Sequence, residues 1–200
     1  MKIPTSIRNA IELDGENNNT LWRDSIDLEM KTILPAFDIL PHGSCPPPGY
    51  TKSSGHIIFD VKMDFTRKSR WVKDGHLTED PLESNFAGVV SRESVRIAFT
   101  YAALNELKVY AADIKSAYLQ APTSEKHYII CGEEFPMEHR GCVGIIKRAL
   151  YGGKCAGADY WKHMRSCMNH IGFMPCKADP DVWMRSAIKD SDGTSYWEYV

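Results

Sequence analysis

The stretch Val109-Tyr110-Ala111-Ala112-Asp113-Ile114-Lys115-Ser116-Ala117-Tyr118-Leu119 decides how the rest of the chain is interpreted. It predicts a short apolar strand that ends at one carboxylate, Asp113, and is followed by a sharp turn. Carboxylates of this kind are ligands that Mg²⁺ takes in proteins. Because an aspartate after an apolar strand is more often a turn or helix-cap residue, the metal interpretation needs support from other parts of the sequence.

The composition is that of a water-soluble globular chain of one large or two small domains. The chain has 200 residues, of which 43% are hydrophobic and 25% are charged, and its formal net charge is −2. This charge gives no global attraction to nucleic acid, so such binding would need a local basic patch. We find neither a membrane-spanning apolar run nor a signal peptide, and we expect a cytoplasmic or nuclear protein without contact to a membrane.

The six cysteines do not form a Cys-x-x-Cys pair, which argues against a zinc ribbon or a redox motif. A chain of this size does not need a disulfide framework, so we expect free thiols. One alternative remains, a small zinc-stabilised domain. Its ligands would be His163, Cys167 and His170, at helical spacing, with Cys176 beyond. Such spacing is usually that of ordinary helix-face residues, and we expect no zinc.

Hydrophobic periodicity predicts alternating helices and strands after a polar, mobile lead-in over residues 1–19. Helices are predicted over about 20–34, 92–107 and 157–171, and the second is apolar on more than one side, which predicts burial. Strands are predicted over 56–64, 67–72, 127–131, 143–147, 182–185 and 196–200, and residues 41–55 are predicted to be a loop. The sequence ends inside the last of these strands, so we expect a fragment.

The predicted hairpin of residues 56–72 and its flank concentrate positive charge. Its cations are Lys62, Arg67, Lys68, Arg70 and Lys73. Charged side chains often protect exposed sheet edges from aggregation, which is the simpler interpretation. The functional interpretation is a cationic finger for phosphate groups, because arginine and lysine are the usual phosphate partners.

Several short segments occur in the order and spacing of one known family. They are Trp22-x-x-Ser25-Ile26-x-x-Glu29, the stretch from Lys68 to Gly75, the helix from Ser94 to Ala103, Ala112 to Leu119, Leu150 to Ala156 with Trp161, and Asp179-Pro180-Asp181-Val182-Trp183. Together they resemble the reverse transcriptase domain of Ty1/copia-type LTR retrotransposon polyproteins. The resemblance covers roughly residues 20–200, and a motif match is a hypothesis that structural context must confirm.

The resemblance implies an α+β fold of the polymerase fingers–palm type, with a mixed or antiparallel sheet packed on helices and truncated before the active-site hairpin is complete. It implies template-directed DNA synthesis from dNTPs with two Mg²⁺ ions. The implied partners are an RNA or DNA template-primer, dNTPs and the remainder of a polyprotein. Residues 20–200 would then be a partial reverse transcriptase domain.

The resemblance also assigns roles to individual residues. Asp113 would be the first catalytic, metal-binding carboxylate, with the Ile114 carbonyl as a further metal ligand. The implied nucleotide-binding residues are Lys68 and Arg70 for the triphosphate, the backbone N–H groups of Ser116 and Ala117, Tyr118 under the sugar, and Tyr151 with Gly152 along the pocket and template path.

The sequence departs from the family where the other catalytic carboxylates should be. The family's Tyr-x-Asp-Asp box is absent from these 200 residues, as are the thumb and RNase H domains. Since one carboxylate cannot assemble a two-metal site, we predict that this chain alone does not polymerise. The alternative function is a non-catalytic nucleic-acid-binding or interaction module that kept the fold, since a basic hairpin suffices for weak, salt-dependent binding.

Overall fold

The computed structural model describes residues 2–81, 84–190 and 192–200. Its helices and strands are α1 (Ile7–Glu16), α2 (Leu21–Ile33), β1 (Phe37–Ile39), β2 (Thr51–Lys52), β3 (Gly55–Val61), β4 (Arg67–Lys73), α3 (Arg92–Leu104), α4 (Ala117–Gln120), β5 (His127–Ile130), β6 (Val143–Ile146), α5 (Ala156–His170), β7 (Met174–Pro175), β8 (Trp183–Ile188) and β9 (Ser195–Tyr199). This mixture of helices and sheets agrees with the α+β class expected from the sequence.

The strands of the described residues form three sheets. The first has four strands in the order β1-β6-β5-β2, the second is the hairpin β3-β4, and the third is β7-β8-β9. In the four-stranded sheet β6 is antiparallel to β1 and β5, whereas β2 is parallel to β5, so the sheet is mixed. Strand β6 lies inside this sheet and all its residues are buried. Burial on both faces explains why its sequence is continuously apolar.

The first helix corrects the expectation of a mobile lead-in over residues 1–19. Ser6 caps α1 by accepting a hydrogen bond from the Asn9 N–H at 3.1 Å, and Leu13 is buried against the core. The carboxylate of Asp14, only 4% exposed, accepts the N–H groups of Trp22 and Arg23 at the start of α2. The polar sequence concealed this role because Asp14 is buried as a cap of the next helix and not as an apolar residue.

The second helix has the buried face that the periodicity predicted. Trp22, Ile26, Met30 and Ile33 are all buried along α2, and Pro35 follows its end. The core continues through Phe37 of β1, whose ring meets the rings of Trp71 and Phe135 edge to face, with centroids 5.5 Å and 5.4 Å apart. One core therefore joins α2, the four-stranded sheet and the hairpin.

The β3-β4 hairpin, predicted from the sequence, is docked on α2 through strand β4. The Ser69 N–H donates to Ser25 Oγ at 2.8 Å, and the Trp71 N–H donates to Glu29 Oε1 at 3.0 Å. Each of these N–H groups lies on the strand edge that does not pair with β3, so α2 satisfies groups that would otherwise need water. Ser25 and Glu29 belong to the opening motif of the resemblance, and their role here is to position the hairpin.

The third helix forms where it was predicted, but the prediction that it is largely buried is wrong. Ser91 caps it through the Ser94 N–H at 3.0 Å. Along the helix only Ala102 is buried, while Phe99 is 56% exposed and Leu104 is 80% exposed. Its apolar faces are exposed because the described part of the chain packs on the helix at few points, one of them the edge-to-face contact of Tyr101 with Tyr199.

The last part of the fold is a smaller cluster between α5 and the third sheet. The sequence predicted α5, β8 and β9 but not β7. Met168, Phe173 and Trp183 are buried together with Met164 packed on them. The guanidinium of Arg165 lies 4.5 Å from the Trp161 ring and 5.2 Å from the Trp183 ring. Within the described ranges no helix, the 15-residue α5 included, is long and apolar enough to cross a membrane.

Candidate functional site

Asp113 is exposed and lies in a segment without regular secondary structure between α3 and α4, not in a strand. Residues 109–114 belong to no sheet within the described chain. A strand needs a neighbour to pair its N–H and C=O groups, so apolar composition alone did not suffice and the predicted strand is wrong. The predicted sharp turn is present, because Ser116 adopts a left-handed conformation with φ 52° and ψ 46° directly before α4.

Three tyrosine rings, which we call the tyrosine cluster, lie beside this turn. The rings of Tyr118 and Tyr151 are stacked with centroids 6.2 Å apart, and Tyr160 of α5 meets Tyr118 edge to face at 5.9 Å. Burial raises the pKa of the Tyr160 hydroxyl, and the charges of Cys167 and Asp113 raise it further. The carboxylate of Asp113 is therefore close enough to the tyrosine cluster to act on it electrostatically.

The hairpin adds a cation to the tyrosine cluster. The guanidinium carbon of Arg70, an exposed residue of β4, lies 5.7 Å from the ring centroid of Tyr151. Lys68 lies two residues earlier and so on the same face of the strand. Burial raises the pKa of Glu29, whereas the Trp71 N–H and the positive charges of Arg70 and Lys68 lower it. Both cations thus act on one half-buried carboxylate of α2.

A close backbone contact fixes the hairpin against the loop that follows β6. The Lys73 N–H donates to the Tyr151 carbonyl at 2.8 Å. At the next residue, Gly152, φ is +89°, and a Cβ atom there would lie 2.2 Å from the Lys73 carbonyl oxygen. Only glycine fits this conformation and this approach without displacement. The close approach of the hairpin to this loop, which brings Arg70 to Tyr151, therefore depends on the glycine at position 152.

Lys73 differs from the other cations of the hairpin because its side chain points inward. Its Nζ donates to Glu125 Oε2 at 2.7 Å and lies 2.7 Å from His127 Nδ1, and the side chain is 2% exposed. Grouping Lys73 with the phosphate-binding cations is therefore wrong. Strand alternation was the missed signal, since Trp71 and Lys73 share one face and Trp71 is buried.

Comparison with known proteins now identifies the family. Residues 51–191 match the family described as reverse transcriptase (RNA-dependent DNA polymerase). The chain belongs to the reverse transcriptase family. It is 31% identical over 115 residues to the transposon Ty1-ER2 Gag-Pol polyprotein of Saccharomyces cerevisiae, which covers 55% of this chain and 6% of that protein. The Ty1-DR4 polyprotein of the same yeast is 30% identical over 112 residues, covering 55% of this chain and 7% of that protein.

These matches confirm the resemblance to Ty1/copia-type reverse transcriptases. The chain matches less than a tenth of the length of these polyproteins, as the 6% and 7% coverage shows. No solved structure matches the chain.

The structure brings several residues together that the reverse transcriptase resemblance named for nucleotide binding. Arg70 lies against the ring of Tyr151, which in turn stacks with Tyr118, and Gly152 follows Tyr151. Ser116 and Ala117 form the turn into Tyr118, while Lys68 is half-buried on β4. Tyr160 was not predicted. The sequence could have indicated it, because Tyr160 lies in the first turns of α5 and directly precedes Trp161 of the family motif.

The described residues do not by themselves complete a metal site for a reverse transcriptase. Among them, no three or more His, Cys, Asp or Glu side chains are placed to hold an ion. Asp113 therefore belongs to no such group of three ligands within the described ranges. The zinc alternative fits no better, since its His163 and Cys167 approach to 3.6 Å without the two further ligands that a structural zinc site takes.

Proposed function

We propose that this chain is a fingers-and-palm portion of a retrotransposon RNA-directed DNA polymerase, which carries out template-directed nucleotidyl transfer. The observation that supports this most is the series of contacts from Arg70 through Tyr151 and Tyr118 to Tyr160, whose pKa the charge of Asp113 helps to raise. It joins a phosphate-binding cation, aromatic surfaces for a sugar or base and a carboxylate, on a chain that belongs to the reverse transcriptase family.

Each of these groups has a role that fits its chemistry. Arg70 and Lys68 would neutralise the incoming triphosphate, for which arginine offers a bidentate guanidinium and lysine a point charge. The backbone N–H groups of Ser116 and Ala117 would donate to phosphate oxygens. Tyr118 would lie under the sugar, and Tyr151 with Gly152 would line the nucleotide pocket and template path. Phosphoryl transfer depends mainly on such positioning and charge neutralisation.

The metal part of the proposal is limited to two groups of this chain. Asp113 would supply one carboxylate and Ile114 one carbonyl oxygen to Mg²⁺. When bound, Mg²⁺ neutralises charge on the phosphate oxygens. Because the described residues do not complete the site, we propose that the chain alone does not polymerise. A template-primer, dNTPs and the remainder of a polyprotein are the proposed partners.

Primer extension tests this proposal. The chain alone and a longer gene product that contains it would be assayed on poly(rA)/oligo(dT) with Mg²⁺. We expect extension by the longer product only, and its loss in Asp113→Asn. Asp190→Asn, at an exposed aspartate outside the site, is the matched control and should keep the activity. Full activity of the longer product with Asp113→Asn would show that Asp113 is not a catalytic ligand.

A second candidate is a nucleic-acid-binding module without catalysis. It is favoured by the exposed Arg70, whose guanidinium lies against the ring of Tyr151. A cation and stacked aromatic rings bind single strands without any chemistry. Salt-dependent binding of an oligonucleotide by both forms, with no extension by the longer product, would favour this module over the polymerase.

A further inference from the structure

A cavity that none of the rings of the tyrosine cluster lines adjoins α4. It is a cavity of about 370 Å³ between the end of α2, α4 and the chain after β6. Its lining includes Thr32, Pro35, Lys115, Ser116, Gln120 and Arg148. Arg70, Tyr118 and Tyr151 do not line it, and Ser116 is the one residue that it shares with the proposed nucleotide site.

The charge of this cavity is positive and unbalanced. Lys115 and Arg148 are exposed, neither forms an ion pair with the residues that the structure describes, and no carboxylate lines the cavity. Asp38, two residues after the lining residue Ala36, pairs with Lys147 at 3.9 Å. The end of α2 contributes about half a negative charge, which is less than the two full positive charges.

The hydrogen-bonding groups of the cavity suit an anion. Arg148 donates one N–H from Nη1 to the Gln120 carbonyl at 3.2 Å, which fixes the guanidinium and leaves further N–H groups free. Lys115 adds an ammonium, and the Ser116 hydroxyl and Gln120 amide can donate as well. Thr32 is less available, because its Oγ1 donates to the Leu28 carbonyl at 2.8 Å.

We propose that Lys115 and Arg148 form a phosphate-binding site in this cavity, separate from the tyrosine cluster. Its ligand is a phosphate group, either in a nucleic-acid backbone or in a free oligophosphate such as pyrophosphate. A guanidinium and an ammonium that line one cavity match the charge of phosphate and offer it several N–H donors. A cavity of this volume is within the usual range for small ligands. The proposal of this phosphate-binding site does not depend on whether the chain polymerises.

The test compares two double variants of the full chain. Lys115→Ala/Arg148→Ala removes the site, and Lys126→Ala/Lys177→Ala removes two exposed lysines elsewhere, so that both variants lose the same net charge. Pyrophosphate binding is measured by calorimetry, and binding of a labelled single strand of about 20 nucleotides by anisotropy against salt. Because all four side chains are exposed, thermal unfolding should be unchanged.

The two sources of phosphate give different results. For a backbone phosphate, oligonucleotide binding weakens about tenfold in the site variant and its log–log salt slope falls by about 0.7. For a free oligophosphate, pyrophosphate binding weakens about tenfold and oligonucleotide binding follows the control. The exchange variant Lys115→Arg/Arg148→Lys keeps both positive charges, so it should bind with most of the wild-type affinity. Equal affinities of the site and control variants for both ligands would overturn the proposal.

Should the double variant not fold, Thr32→Glu gives an independent test. It places a carboxylate in the cavity at a half-buried position of the last turn of α2, without removing either cation. We expect the same loss of phosphate affinity, because the new charge pairs with Lys115 or Arg148. Unchanged binding of both ligands would contradict the site.

Discussion

The guanidinium carbon of Arg70 lies 5.7 Å from the ring centroid of Tyr151, although one residue comes from the hairpin and the other from the loop after β6. The hydrogen bond from the Lys73 N–H to the Tyr151 carbonyl holds the two segments together. The result is one surface with a positive charge and an aromatic face. Such surfaces bind nucleotides and single strands, since phosphates need cations and bases stack on rings.

Replacement of Arg70 should weaken nucleic-acid binding without unfolding the chain. Arg70→Ala removes an exposed cation, so we expect oligonucleotide affinity to fall about fivefold and the log–log salt slope to fall by roughly 0.7. The measurement is fluorescence anisotropy over a range of salt concentrations. Arg8→Ala, at an exposed arginine of α1 distant in sequence from the hairpin, is the control. Identical binding by the two variants would remove Arg70 from the interface.

The Gly152 contact predicts a large loss of stability on a small change. Gly152→Ala must place a residue with φ +89° and a Cβ atom 2.2 Å from the Lys73 carbonyl oxygen. We expect the free energy of unfolding, from urea titration, to fall by about 3 kcal/mol.

Gly43→Ala separates the two causes of that loss. Gly43 also has a positive φ, +78°, but a Cβ atom there meets nothing within 4 Å. Its cost should be only about 1 kcal/mol, the penalty of the left-handed conformation. Equal costs for the two variants would mean that the backbone approach at Gly152 contributes nothing.

The sequence predicted those elements whose burial follows a regular period. The four-residue face of α2 and the β3-β4 hairpin follow periods of 3.6 and 2, and the structure has both. The tyrosine cluster was partly predictable, because Tyr118 and Tyr151 belong to motifs of the family. Their contact with Arg70 could not be read from the sequence, since it depends on how the hairpin docks on α2 through Ser25 and Glu29.

The predictions that failed concern segments whose structure depends on a partner. Residues 109–114 have the composition of a strand but no neighbouring strand in the described chain. The apolar faces of α3 are exposed, because few described residues pack on them. The first helix was missed because its sequence is polar. Its residue Asp14 is nevertheless buried, since its carboxylate accepts N–H groups at the start of α2. Local pattern predicts what a segment can form, and packing partners decide whether it does.

The buried ion pair of Lys73 and Glu125 should be stabilising only as a pair. Lys73→Met leaves the Glu125 carboxylate, whose side chain is 10% exposed, without its cation. We expect unfolding by urea to show a loss of about 3–5 kcal/mol, most of which Lys73→Met/Glu125→Leu should recover. Lys62→Met, at an exposed cation of the same hairpin, should change stability by less than about 0.5 kcal/mol. A double variant as unstable as Lys73→Met would contradict this account.

Thiol reactivity should separate buried from exposed cysteines. Burial raises the pKa of Cys131 to about 11, with smaller contributions from Cys142 and Glu134, so little thiolate exists at pH 8. Cys45 and Cys167 are exposed. We expect iodoacetamide, followed by mass spectrometry, to modify these two at least about 100-fold faster than Cys131 in the folded chain. Addition of urea should abolish the difference. Rapid labelling of Cys131 before unfolding would disprove its burial.

His127 should make the chain less stable as the pH falls. Burial and the charge of Lys73 lower the pKa of His127 below its usual 6.5, although Glu125 opposes the shift. Below pH 6.5 the unfolded chain therefore binds a proton at this residue that the folded chain does not, and stability declines until the folded-state pKa is reached. In His127→Gln this contribution is absent. Its free energy of unfolding relative to that of the wild type, from urea titrations, should therefore rise as the pH is lowered from 7.5 to 5.5. His76→Gln, which removes an exposed histidine, serves as the control. If the wild-type and His127→Gln curves stay parallel, His127 is not held neutral by its buried neighbours.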